Sequence, residues 1–165
     1  MESQPANVQY YPFYPVVPPA SGKLIDHILA VDVETSGPFL AHSFMTSFAF
    51  VLVDASNGKI VDTFDAYMPV QPGRYWDSAC LATFWRNRPD IYNTTVMKMH
   101  EQTMTCEEIA HNALSWLWKH GQDKNITIFS DNPSFDIPWI DMYLPVPCTL
   151  QTVFGVYRRI IDTTS

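Results

Sequence analysis

The sequence predicts an α/β domain built on a mixed sheet, and two observations carry that expectation. Short apolar runs bounded by turn residues fall at 27–33, 43–53, 59–68 and 126–129, the lengths of strands. Between the third and fourth runs lies a long stretch of helical spacing. A strand and a hairpin are therefore followed by a helical crossover and a further strand. The chain has 165 residues, enough for one domain and not comfortably for two.

Each element has a local reason. Residues 1–22 interleave Pro5, Pro12, Pro15, Pro18 and Pro19 with Tyr10, Tyr11, Phe13 and Tyr14. Proline at this density excludes helix and central strand, so an extended arm ending at Ser21-Gly22 is expected. The domain proper is expected from 23 to 165. His27 to Val33 reads as a buried strand, stopped by Gly37-Pro38. Ser43 to Val53 and Lys59 to Met68 read as a hairpin joined through Asp54 to Gly58. Asp77 to Met99 reads as partly helical, broken by Pro89. Thr105 to His120 is the clearest helix. Thr105 is positioned as N-cap with Glu108 three residues on, a capping box. Ile109, Ala113, Leu114, Leu117 and Trp118 follow at helical spacing, and His111 and His120 are expected on the polar face. Ile126 to Phe129 reads as the fourth strand and Phe135 to Tyr143 as a short helix, ended by Pro145-Val146-Pro147. Arg159 to Asp162 would start a fifth strand. A sheet whose last strand has no covering helix is expected to lack its C-terminal helices.

Composition excludes several functions. Hydrophobic residues make up 47% and aromatic residues 14%, ample material for a core. No apolar run reaches the ~20 residues of a membrane span, and no secretory signal is visible, so an intracellular, cytoplasmic protein with no membrane contact is expected. Lys plus Arg number 10 against 17 acids, a net charge of −7. Coating nucleic acid by phosphate neutralisation is disfavoured by that balance. An enzyme that meets phosphates through bound metal is not, because clustered acids are then cation ligands. The three cysteines are widely spaced and form no zinc ribbon.

The acids that carry chemistry sit at strand ends. In Val31-Asp32-Val33-Glu34-Thr35-Ser36-Gly37, alternation points Asp32 and Glu34 to one side of the strand, with Cα atoms ~6.5 Å apart. Two carboxylates there either share a metal or simply face solvent as the strand ends. In Ile128-Phe129-Ser130-Asp131-Asn132-Pro133-Ser134-Phe135-Asp136, a strand turns into a helix. Asp136 falls in the first helical turn, where free N–H groups favour a carboxylate. Asp131 reads as a turn residue.

Together the two segments resemble the DEDD 3′→5′ exonucleases. Asp-x-Glu-Thr-x-Gly follows the first strand, and Asn-x-x-Phe-Asp follows about a hundred residues later. Leu81-Ala82-Thr83-Phe84-Trp85 and Tyr157-Arg158-Arg159-Ile160-Ile161-Asp162-Thr163 are similar to the RNase T-like exoribonuclease branch. The resemblance implies an RNase H-like fold with a five-stranded mixed sheet. It implies Asp32, Glu34 and Asp136 as catalytic, metal-binding residues for two Mg²⁺ or Mn²⁺ ions. Thr35 and Ser36 would contact the terminal nucleotide. Trp85 is carried as a substrate-stacking residue. Of Trp76, Phe84 and Trp85, at least two read as core filling. Arg74, Arg86 and Arg88 form the one basic cluster. Mutual repulsion is expected to raise the pKa of at least one of the three acids.

The implied substrate is the 3′ end of single-stranded nucleic acid, RNA ahead of DNA, released as nucleoside monophosphates. A homodimer and a partner for the Pro/Tyr-rich arm are the candidate protein contacts. The family's last aspartate and its preceding base lie on a helix after the fifth strand. None of the five histidines follows Asp136, and Ser165 precedes any such helix, so either a fragment of a longer protein or an incomplete active site is expected. The competing reading is a catalytically incomplete RNase H-like module that binds nucleic acid or protein. A haloacid dehalogenase-type phosphatase is disfavoured by Glu34, because that chemistry needs Asp-x-Asp.

Overall fold

The structure, a computed structural model, describes residues 25–121, 124 and 126–144. The expected arm at 1–22, the Pro145-Val146-Pro147 stop and the expected strand from Arg159 lie outside the described residues.

Four strands form one mixed sheet: β1 (His27–Thr35), β2 (Met45–Asp54), β3 (Ile60–Tyr67) and β4 (Ile126–Phe129). Their order is β3-β2-β1-β4. β1 runs antiparallel to β2 and parallel to β4. β2 and β3 form the expected hairpin. Its turn is closed by Asp54, which accepts bonds from the Ser56 backbone N–H at 2.8 Å and the Asn57 side chain at 3.1 Å. Gly58 takes φ +70°, the left-handed conformation that glycine enters without penalty. This is the mixed α/β sheet of the RNase H-like expectation; four strands stand among the described residues.

The crossover from β3 to β4 is helical. It contains α1 (Ser78–Thr83), a 3₁₀ turn (Trp85–Asn87), α2 (Pro89–Glu101) and α3 (Cys106–Gly121). The expected break at Pro89 marks a start: proline sits at the first turn of α2, where its missing N–H costs nothing. The capping box forms in both directions. Glu108 N–H donates to Thr105 Oγ1 at 3.2 Å, and Thr105 N–H donates to Glu108 Oε2 at 2.8 Å. α4 (Pro133–Tyr143) follows β4 and begins two residues before the expected Phe135.

The core lies between the sheet and the helices. Leu29, Val31, Val33, Phe48, Phe50 and Leu52 meet Ile109, Ala113 and Leu117 of α3 and Ile137, Trp139 and Ile140 of α4. Two expectations on α3 are corrected. Trp118 is 58% exposed, and the indole that packs on the sheet is Trp116, against Phe50 and Phe64. His120 is no free polar-face residue. Its Nε2 lies 2.8 Å from Asp62 Oδ2, which also accepts from Trp116 Nε1 at 3.1 Å. Bonds from Thr63 and His120 hold the Asp62 carboxyl below its ordinary pKa, so β3 offers α3 a carboxylate anchor. Among the described residues, no helix is long and apolar enough to cross a membrane.

Candidate active site

Parallel pairing places the C-terminal ends of β1 and β4 side by side, where ligand sites of α/β sheets form. The ladder ends at Ala30 opposite Phe129, so Asp32 extends past the end of β4. The chain after β4 then turns back over it. Ser130 is buried; its Oγ accepts from Asn132 N–H at 3.0 Å and donates to Asp136 Oδ2. That one hydroxyl ties the turn to the start of α4. The Asp136 N–H bonds back to the Asn132 carbonyl at 2.9 Å, which brings its carboxylate over β1.

Carboxylate oxygens of Asp32, Asp131 and Asp136 lie within 4.8 Å of one another. Asp32 and Asp131 are exposed, and Asp136 is 2% exposed. All three line a cavity of about 690 Å³, with Glu34, Thr35, Asp77, Phe84 and Arg88 also on its wall. The sequence predicts Asp32, Glu34 and Asp136 at one point. The structure brings Asp32 and Asp136 together and puts Asp131, read as a turn residue, in the tight trio. Glu34 stays in the same cavity outside that trio. The missed signal was the position of Asp131, two residues past a strand parallel to the one that carries Asp32.

All three expected acids have raised pKa values. For Asp32 burial is the first cause and the Asp131 charge the second. For Glu34 burial again leads, then Asp32, with the Arg88 charge pulling down. For Asp136 burial leads, the Ser130 bond opposes it, and Asp32 and Asp131 add to the rise. The repulsion expected from sequence is therefore present but second to desolvation.

The signs give a pH prediction. In the metal-free fold these carboxyls keep protons at a pH where the unfolded chain has lost them. Raising the pH through that window therefore lowers stability. A divalent ion must displace the same protons. Its affinity is expected to rise with pH above the ordinary carboxylate range, with proton release on binding. Titration calorimetry with Mn²⁺ in two buffers of different ionisation heat checks this. Affinity that does not change with pH would contradict it.

Two expected substrate contacts are corrected. Trp85 is 1% exposed, too buried to stack on a base. Its Nε1 donates to the Thr35 carbonyl at 3.1 Å, and its ring packs edge-on against Trp76 and Phe84, so it holds the end of β1. Ser36 is fully buried, with Oγ donating to the Tyr75 carbonyl at 3.0 Å and accepting from Phe44 N–H at 2.9 Å. Both of its roles are structural. Thr35 does line the cavity, its Oγ1 donating to the Gly37 carbonyl at 2.9 Å. The basic cluster also divides. Arg74 is bound to the carbonyls of Leu40 and Ser43, while Arg88 faces the cavity.

Gly37 fixes the cavity wall. A Cβ there would lie 2.4 Å from Asp77 Cβ and 2.7 Å from Ser43 Oγ. Asp77 in turn caps α1, accepting from Cys80 N–H at 2.8 Å, and its own N–H donates to the Ser36 carbonyl at 2.9 Å. The loop after β1 and the start of α1 touch only because residue 37 has no side chain.

The donor set fits hard divalent ions. The clustered atoms are all carboxylate oxygens, as Mg²⁺ and Mn²⁺ prefer. The cavity's thiol, Cys80, has its pKa pushed up by burial and by Asp77, so it stays neutral and offers no soft thiolate.

No protein-family model and no curated protein matches the sequence. Solved structures do match the fold. The nuclease domain of 3′hExo, a DEDDh family member bound to rAMP, aligns with a TM-score of 0.56 and 16% identity, over 77% of this chain and 64% of that one. The cell-death related nuclease CRN-4 aligns with a TM-score of 0.53 and 20% identity, over 72% of this chain and 39% of that one. E. coli exonuclease I in complex with a dT13 oligonucleotide aligns with a TM-score of 0.55 and 16% identity, over 72% of this chain and 23% of that one. The chain thus spans less than two thirds of each of these proteins. Sheet order, crossover and neighbours agree: the chain has a DEDD exonuclease-like, RNase H-like fold.

Proposed function

We propose that this chain carries the carboxylate cluster of a metal-dependent 3′→5′ exonuclease that prefers RNA over DNA, a site completed by the family's last aspartate and base. The observation that carries the reading is the Asp32–Asp131–Asp136 cluster at the paired ends of β1 and β4, on this fold. Asp32, Asp131 and Asp136 would hold the ions, with Glu34 as a further oxygen donor on the same wall. Two such ions supply Lewis-acid polarisation of the phosphate and lower the pKa of a water. Hydrolysis adds one water across the P–O3′ bond. The shortened strand keeps a 3′-hydroxyl and the released nucleotide keeps the phosphate.

Thr35 lines the cavity beside the acids, and its hydroxyl proton is committed to the Gly37 carbonyl, which leaves Oγ1 with acceptor capacity only. An acceptor there would suit a donating terminal 3′-hydroxyl over a 3′-phosphate. The nucleotides named with the neighbours, rAMP and dT13, support a strand end as ligand and span both sugars. RNA is placed first because Leu81–Trp85 and Tyr157–Thr163 resemble the exoribonuclease branch.

The test uses end-labelled RNA and DNA strands, linear, circular or 3′-phosphorylated, with Mg²⁺ or Mn²⁺. Stepwise loss of monophosphates from linear strands with a 3′-hydroxyl is expected, faster on RNA. Cleavage of circles, or equal rates on blocked ends, would show an endonuclease. Binding without metal-dependent cleavage would leave the non-catalytic module.

A further inference from the structure

Among the described residues, the cavity wall carries five carboxylates, Asp32, Glu34, Asp77, Asp131 and Asp136, and one guanidinium, that of Arg88. We propose that Arg88, seated on the ring of Phe84, takes an internucleotide phosphate of the bound strand. This rests on the exonuclease reading above and names the residue that brings the strand to the site.

A chain of net charge −7 has to bring a polyanion beside clustered acids, and a local cation facing the same space is what that requires. Arg88 is held for such a contact. Its guanidinium carbon lies 4.2 Å from the Phe84 ring centroid, a cation–π seat that orients the group. Its backbone is fixed on both sides, N–H to the Trp85 carbonyl and carbonyl from the Tyr92 N–H, each at 2.9 Å. The side chain makes one long bond, Nη1 to the Phe84 carbonyl at 3.5 Å. Among the described residues it makes no ion-pair contact, and the acid its charge acts on is Glu34 on the same wall. The rest of its planar donor fork stays available, and that fork matches two phosphate oxygens at once. The neighbouring arginines do not compete for the role. Arg74 is bound to backbone carbonyls, and Arg86 is not on the cavity wall.

The experiment measures binding of labelled single strands by the full chain in Ca²⁺. Each strand carries one neutral methylphosphonate link, at each position in turn. For the unsubstituted protein, one link is expected to weaken binding by roughly tenfold, the scale of a charged hydrogen bond. Arg88→Ala is expected to lose the same factor on the unmodified strand and nothing further at that link. The slope of log affinity against log salt should become shallower by about 0.7. Arg88→Lys should keep that slope and recover only part of the affinity. Multiplying effects at every link, an unchanged slope, or no binding at all would overturn the proposal. Turnover is not needed for this readout. A strand bound through Arg88 but left uncut in Mg²⁺ defeats the exonuclease reading alone. A strand cut with multiplying effects defeats Arg88 alone.

Discussion

Asp136→Asn is expected to lower nuclease activity by at least about a hundredfold, the scale of removing one group that stabilises developing charge. The fold should survive. The amide has the volume of the carboxyl and can keep the bond from Ser130 Oγ, and the change removes a charge from a crowded, buried position. Metal-free Asp136→Asn at neutral pH should therefore unfold at the same or a higher temperature than the parent. Asp32→Asn is the companion variant, because Asp32 is far more exposed than Asp136 and its amide likewise removes a charge from the crowded cluster. Activity and thermal unfolding measured together decide the matter. Activity lost with stability unchanged supports the site. Activity lost only in step with unfolding would make Asp136 a helix-start residue and no more.

Trp85→Ala should destabilise the chain by about 3–5 kcal/mol, the cost of emptying a buried indole site. The ring is enclosed by Trp76, Phe84 and Tyr92, and its N–H satisfies the Thr35 carbonyl at the edge of the cavity. Trp85→Phe keeps most of the volume and drops that hydrogen bond, at about 1–3 kcal/mol. Urea unfolding measures both. If Trp85→Ala were as stable as the parent and lost only affinity for nucleic acid, the ring would be a stacking platform after all.

Features with a local cause were legible in the sequence. Alternation in His27–Thr35 put Asp32 and Glu34 on one side, and the Thr105–Glu108 spacing forecast both bonds of its cap. Features decided by tertiary contact were not. Asp131 looks like a turn residue until the parallel pairing of β1 and β4 puts it beside Asp32. Ser36 looks available until the Tyr75 and Phe44 backbones claim its hydroxyl. Trp85 and Phe84 are adjacent aromatics with nothing local to tell them apart, yet one is core and the other faces the cavity. Helical face alone puts His120 on the polar side, while its partner Asp62 is on a strand far back in the chain.

The parallel ladder between β1 and β4 also governs when the site can come into being. It is short, four residue pairs from His27 opposite Ile126 to Ala30 opposite Phe129, and it joins segments about a hundred residues apart. Closing so long a loop carries its entropic cost before any contact offsets it, so such pairings form late. The β2–β3 hairpin and α3 are local and can form early. Refolding should thus pass through a chain with a nearly complete hairpin and helices but no cation affinity. Metal-binding capacity would arrive with the last, slowest step, after most helical structure has been regained.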